Sequence, residues 1–143
     1  TATNRIYRLQ SGRWTTRTLG GCLIGRRRDR WLICREGAGV GRRRPLPPGG
    51  ICRWDGRFQL LLGPGAPPGL EVGCCGVISR AATGWNWPQA LLASLPALWQ
   101  HRRRVAVPHL GLATGRSGRA AVAALMIAFM PTRPLTQAPF GIV

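Results

Sequence analysis

The sequence predicts a small α+β domain that is mainly β, built from hairpins that could close in a barrel-like way, with one or two short helices. Three observations support this fold class. Short β-prone bursts alternate with connectors rich in Gly, Pro and Arg, and only one stretch has leucines at helical spacing. Hydrophobic residues make up 45% of the 143 residues, which is enough for a core.

The first half of the chain predicts strands and loops. Residues 15–25 and 31–36 are two β-prone runs around the segment RRRDR, which is the pattern of a hairpin. Residues 37–50 show no periodicity of either kind and predict a loop. Residues 51–62 place an Asp-Gly pair between β-prone flanks, which fits either a two-residue hairpin turn or a bulged long strand.

The second half contains the best helix candidate. Residues 87–99, WPQALLASLPALW, carry leucines at helical spacing, and Pro96 should end or kink that helix. A strand is predicted before it, over residues 70–78, and a short strand with a turn after it, over residues 102–112. The apolar run 120–130 fits a strand or a helix equally well.

The sequence does not predict catalysis for this chain alone. Its carboxylates show no spacing typical of an acid/base pair on one element, and no GxxxxGKS/T, GxSxG or HExxH motif occurs. The glycine-rich stretch 111–118 lacks the lysine and the strand-to-helix context of a phosphate loop, so a surface linker is predicted there. The four carboxylates are Asp29, Glu36, Asp55 and Glu71.

The cysteines are predicted to be small apolar residues of the core in a reducing cytoplasm, because they are odd in number and have no CxxC spacing. The two histidines supply no zinc-ligand spacing, so no metal or other cofactor is expected. The longest apolar run, residues 120–130, is shorter than the ~20 residues that a membrane helix needs, and no membrane partner is expected. The cysteines are Cys22, Cys34, Cys52, Cys74 and Cys75.

The charge of the chain predicts a polyanionic partner. All 21 basic side chains are arginine and only 4 acidic residues oppose them, giving a formal charge of +17. Arginine presents five donors in a rigid fork that matches phosphate oxygens, so RNA or DNA is the expected partner. GC-rich coding is an alternative source of the composition, and it explains the missing lysines better than the excess of bases over acids.

Three arginine clusters lie in three predicted connectors, the third of them between the predicted helix and its following strand. They could converge on one face and follow a phosphate backbone, or they could be three separate solvated loops. Trp31 and Trp54 flank two clusters, and core packing is the predicted role of both rings, with base stacking as the alternative. The candidate RNA-binding residues are Arg26, Arg27, Arg28, Arg30, Arg42, Arg43, Arg44, Arg102, Arg103 and Arg104.

Six short strings in the same order resemble the C-terminal part of bacterial tRNA(Ile)-lysidine synthetase. They are TLGGC at 18–22, WLICRE at 31–36, WDGRF at 54–58, LPALW at 95–99, VAVPHLG at 105–111 and RPL at 133–135. That family ligates lysine to the wobble cytidine of an isoleucine tRNA, using ATP in an N-terminal domain with an SGGxDS loop. No such loop occurs in this sequence. The basic string QHRRR at 100–104 also departs from the family.

The resemblance implies that residues 1–14 lead in from an upstream domain and that residues 15–143 form a tRNA-contacting C-terminal domain. ATP and Mg²⁺ are implied only for the catalytic domain, and no catalytic residue is carried over to this chain. The expected function is tRNA binding in the cytoplasm on behalf of a tRNA-modifying ligase. The alternative is a stand-alone, arginine-rich structural RNA-binding protein, such as a component of a ribosome-like particle.

Overall fold

The structure, a computed structural model, describes residues 17–27, 30–84 and 87–132. Within these residues, short strands form three antiparallel sheets. The chain divides into two compact units. The first unit contains the described residues up to Val40 and those from Gly76 to Ser94, and the second contains those from Gly41 to Cys75 and from Leu95 onward.

The strands and helices follow one another as short elements joined by tight turns, with 3₁₀ turns at Gly37–Gly39 and Pro108–Leu110. In chain order they are β1 (Arg17–Leu19), β2 (Cys22–Arg27), β3 (Arg30–Arg35), β4 (Arg44–Pro45), β5 (Ile51–Trp54), β6 (Phe58–Leu62), β7 (Leu70–Cys74), α1 (Arg80–Thr83), α2 (Gln89–Ala93), β8 (Pro96–Gln100), β9 (Arg103–Val107), β10 (Leu112–Ala113), α3 (Gly115–Ala123) and β11 (Leu125–Phe129).

The first unit is a three-stranded antiparallel sheet with short helices. Its strands pair in the order β1-β2-β3, which confirms the hairpin predicted around the arginine-rich segment. Helix α2 ends where Ser94, which is buried, donates from Oγ to the carbonyl of Leu91 at 2.9 Å. The helix thus ends near Ser94, where Pro96 predicts an end or a kink, and the remainder of the helix candidate 87–99 is not helical.

The string PALWQ forms strand β8 instead of the end of a helix. Pro96 has no N–H with which to continue a helix, and the residues after it pair with β7 over the full length of that strand. Leu98 is fully buried on this strand. The larger sheet of the second unit is an antiparallel arrangement in the order β10-β9-β8-β7-β4.

The smaller sheet of the second unit has the strand order β11-β6-β5. Its Asp-Gly pair forms the turn that joins β5 to β6. Asp55 and Gly56 both have positive φ, 54° and 62°, and the N–H of Arg57 donates to the carbonyl of Trp54 at 3.2 Å. Glycine adopts this left-handed conformation without a steric cost. The structure thus decides for a hairpin, although three residues, 55–57, and not two lie between the paired Trp54 and Phe58. Both of these residues are buried, with ring centroids 6.3 Å apart.

The apolar run 120–130, for which a strand and a helix were both possible, contains one of each. Helix α3 ends at Ala123 and β11 begins at Leu125, where it pairs with β6. The linker predicted over residues 111–118 is wrong for most of its length, because β10 lies at Leu112–Ala113 and α3 begins at Gly115. Gly118 allows this helix to pack on β9, since a Cβ at that position would collide with the carbonyl oxygen of Val105.

The predicted fold class, a mainly β α+β domain with short helices, is confirmed. The described sheets remain open and do not close into a barrel. Residues 1–14, the predicted lead-in, lie outside the described residues. Cys34, Cys52 and Cys75 are buried as predicted, and Cys22 and Cys74 are buried only in part. No described helix is long and apolar enough to cross a membrane.

The buried tryptophan of the second unit provides a test of the core. Trp54 is 0% exposed, so Trp54→Ala should lower the free energy of unfolding by about 3–5 kcal/mol. Chemical denaturation followed by far-UV circular dichroism measures the change. Ile51→Ala, at a strand position that is 67% exposed, is the control and should cost far less. Equal losses in the two variants would contradict the assignment of Trp54 to the core.

Candidate nucleic-acid interface

The first arginine cluster lies on the β2-β3 hairpin of the first unit. Arg27 pairs with Arg30 at the end of that hairpin, and Arg26 pairs with Trp31. Arg28 lies outside the described residues. The indole of Trp31 is 42% exposed, so the prediction that it packs in the core is wrong, whereas the same prediction for Trp54 is confirmed.

The second cluster follows Gly41 in the second unit, and its backbone is held by hydrogen bonds from the β5-β6 hairpin. The Trp54 indole Nε1–H donates to the carbonyl of Arg42 at 3.1 Å. The backbone N–H of Gly41 donates to Asp55 Oδ1 at 2.9 Å. Oδ2 of Asp55 accepts from Nε of Arg57 at 2.6 Å in an ion pair, which keeps the carboxylate in place.

The end of this cluster joins the larger sheet. Arg44 pairs with Val72 across β4 and β7, and the side chains of the three arginines are exposed. The Nη1 atom of Arg44 makes one long contact, 3.5 Å, to the carbonyl of Arg53. The backbone of this cluster is therefore fixed at both ends while its three arginines remain exposed.

The guanidinium of Arg43 covers the ring of Trp99. Its Cζ atom lies 3.7 Å from the ring centroid, which is within the range of a cation–π contact. The Trp99 indole N–H donates to the carbonyl of Cys74 at 3.2 Å, so the orientation of the ring is fixed. Gly73 provides the space, because a Cβ there would lie 2.6 Å from Arg43 Cγ.

The third cluster lies in the turn between β8 and β9, not after a helix as predicted. The correction follows from β8, because a strand rather than a helix leads into the turn. Gln100 pairs with Arg103, and the two residues between them have positive φ, 47° at His101 and 66° at Arg102. Residues other than glycine in this conformation are strained, and such strain is found most often at functional sites.

Arg104 differs from its neighbours because its guanidinium makes hydrogen bonds within the protein. This half-buried side chain donates from Nη1 to the carbonyl of Cys75 and approaches the sulfur of the same residue at 3.5 Å. Burial raises the pKa of the Cys75 thiol, and the positive charge of Arg104 opposes that rise. The Cζ atom of Arg104 lies 6.0 Å from the Trp99 ring centroid.

The second and third clusters therefore meet at one aromatic ring, because Arg43 and Arg104 both approach Trp99. Arg43 and Arg104 are thus packed on a common ring and are not solvated separately. The first cluster belongs to the other unit, and its contact with RNA stays a prediction, as it does for all ten arginines. We use the name "Trp99 face" for Trp99 together with the arginines of the second and third clusters, which are Arg42, Arg43, Arg44, Arg102, Arg103 and Arg104.

Sequence reasoning missed Trp99 and Gly73. Trp99 lies in the helix candidate 87–99, and the break at Pro96 is the signal that could have separated it from the helix. Gly73 carries no signal in the sequence, because its role is to leave space for a side chain thirty residues earlier. Its neighbour Glu71 pairs with Trp99 across the sheet.

The Trp99 face has a strongly positive environment. The described residues of the second unit contain ten arginines and two carboxylates, Asp55 and Glu71, and Asp55 already pairs with Arg57. Among the described residues, no group of three or more His, Cys, Asp or Glu side chains is placed to hold a metal ion. The arrangement is suited to binding anions through guanidinium groups.

Comparisons of the chain with protein-family profiles, with curated proteins and with solved structures found no match.

The strained turn of the third cluster gives a prediction about stability. Because Arg102 has a φ of 66°, Arg102→Gly should raise the free energy of unfolding by about 1 kcal/mol. The matched control is Arg103→Gly, which removes the same charge from a strand position and should lower that free energy by about 0.5–1 kcal/mol. Urea titrations of both variants measure the difference. Destabilisation by both to the same extent would show that the turn carries no strain.

Proposed function

We propose that this chain binds RNA through the Trp99 face, with phosphate groups held by the exposed arginines of the second and third clusters. One observation carries the proposal: two arginine clusters that lie some sixty residues apart in the sequence meet at the ring of Trp99. Phosphate contacts of this kind supply most of the affinity in sequence-independent nucleic-acid binding.

Two features of the site support phosphate binding over a merely solvated surface. The backbone of the second cluster is fixed by Trp54 and Asp55, so less conformational freedom is lost when its guanidinium groups bind an anion. The turn of the third cluster is strained at His101 and Arg102, where a turn selected for stability alone would carry Asn-Gly.

The proposal that the RNA partner is a tRNA rests on the resemblance of the sequence to a family of tRNA-modifying enzymes. The six strings that resemble tRNA(Ile)-lysidine synthetase support a tRNA-binding C-terminal domain that assists a lysidine-forming ligase without being catalytic alone. Two of the strings, WDGRF and LPALW, contain the two tryptophans that hold the second cluster. A stand-alone structural RNA-binding protein would use the same phosphate contacts.

The salt dependence of binding tests the phosphate contacts. Four phosphates on Arg42, Arg44, Arg102 and Arg103 would give a slope of about −3 to −4 in a plot of log K against log salt concentration. Removing two contacts with Arg42→Ala/Arg44→Ala should reduce the magnitude of that slope by about two. Fluorescence anisotropy with labelled tRNA between 50 and about 300 mM salt gives the slopes.

A control variant with the same change in charge separates site binding from general attraction. Arg116→Ala/Arg119→Ala removes two exposed arginines of α3, which belong to none of the three clusters. Its slope should stay close to that of the unmodified protein. An equal loss in both double variants would mean that RNA is attracted by net charge alone, and a slope near zero for the unmodified protein would end the proposal.

The choice of tRNA is tested by competition. Unlabelled tRNA should displace the labelled tRNA at a concentration about tenfold lower than a plain RNA duplex of similar length, because a duplex lacks the loops and ends of tRNA. Equal competition by the duplex would favour the stand-alone structural RNA-binding protein. It would leave the phosphate contacts themselves untouched.

A further inference from the structure

The contact between Arg43 and Trp99 leaves one flat surface for a ligand. At 3.7 Å from the ring centroid, the guanidinium carbon is in van der Waals contact with the face of the indole. A planar guanidinium that lies parallel to the ring presents its second face away from it. Arg43 is exposed, so a ligand can reach its guanidinium.

This flat surface is fixed in place before any ligand binds. The indole is held by its hydrogen bond to the Cys74 carbonyl, and the stem of Arg43 runs over Gly73, where a side chain would displace it. The residue before Arg43 is held by Trp54 through its carbonyl. A platform that is already ordered loses little entropy when a second planar group stacks on it.

The neighbouring charge favours a neutral aromatic group over a phosphate at this point. Glu71 pairs with Trp99 across β7 and β8, and residues that face each other in such a pair lie on the same side of the sheet. A carboxylate on this side disfavours phosphate beside it. Nucleobases are neutral, and they stack on the planes of arginine side chains in protein–RNA complexes.

We propose that Arg43, supported by Trp99, is the stacking platform for an unpaired nucleobase, while the exposed arginines of the second and third clusters hold phosphates elsewhere on the same RNA. A base inside a duplex has both faces covered by its neighbours, so the RNA must be single-stranded here. The inference rests on the proposed RNA binding and adds the class of RNA element that the site takes.

The variant Arg43→Lys tests the platform, because lysine keeps the positive charge and loses the planar group. Anisotropy titrations at one salt concentration would compare a single-stranded oligonucleotide of about eight nucleotides with a blunt RNA duplex. Arg43→Lys should weaken binding of the single strand by about tenfold, since stacking on one base is worth that much. Binding of the duplex should change by less than about twofold.

Two further variants keep the test decisive. Gly73→Ala leaves every charge in place but would put its Cβ 2.6 Å from Arg43 Cγ and 3.4 Å from Trp99 Nε1, so it disturbs the stacked pair and should give the same selective loss. Arg42→Lys is the control, and it should affect the single strand and the duplex equally. Thermal melts of all variants check that they are folded.

The outcomes separate the two proposals. If Arg43→Lys and Gly73→Ala weaken both RNAs equally, or weaken neither, the stacking platform is wrong while phosphate binding stands. If the unmodified protein binds neither RNA at low salt, the proposed function itself is wrong. A selective loss of the single strand in both variants supports the platform.

Discussion

The hydrogen bond from the Trp54 indole to the carbonyl of Arg42 joins the core of the second unit to its basic surface. The ring is fully buried and is placed by the Asp-Gly hairpin that follows it, so its N–H has a fixed direction. The same hairpin supplies Asp55, which accepts from the N–H of Gly41. The path of residues 41–44 therefore depends on a turn more than ten residues later in the chain.

Arginine has two different uses in this unit. Arg57 pairs with Asp55, and Arg104 donates to the carbonyl of Cys75, so both stabilise the fold. Arg42, Arg102 and Arg103 are exposed, and Arg43 is exposed while it stacks on Trp99. Arginine therefore both stabilises the fold and forms the charged surface. It can do both because a guanidinium combines a planar face with five donors.

The sequence predicted the mainly β class and the hairpins because β-prone runs and an Asp-Gly turn are local signals. It failed at residues 95–99, where leucine spacing indicated a helix and pairing with β7 produced a strand. Pairing with a strand more than twenty residues away leaves no trace in a local pattern. The arginine clusters were visible as strings, but their meeting point at Trp99 was not, because it depends on that strand and on the absence of a side chain at Gly73.

The proposed function requires RNA to contact the guanidinium of Arg43 where it covers the ring of Trp99. The most direct measurement is nuclear magnetic resonance of the tryptophan indole N–H signals, assigned by single Trp→Phe variants, during a titration with single-stranded RNA. The signal of Trp99 should shift progressively and reach a plateau, and that of the buried Trp54 should shift much less. A Trp99 signal that stays unchanged while the protein becomes saturated with RNA would contradict the account.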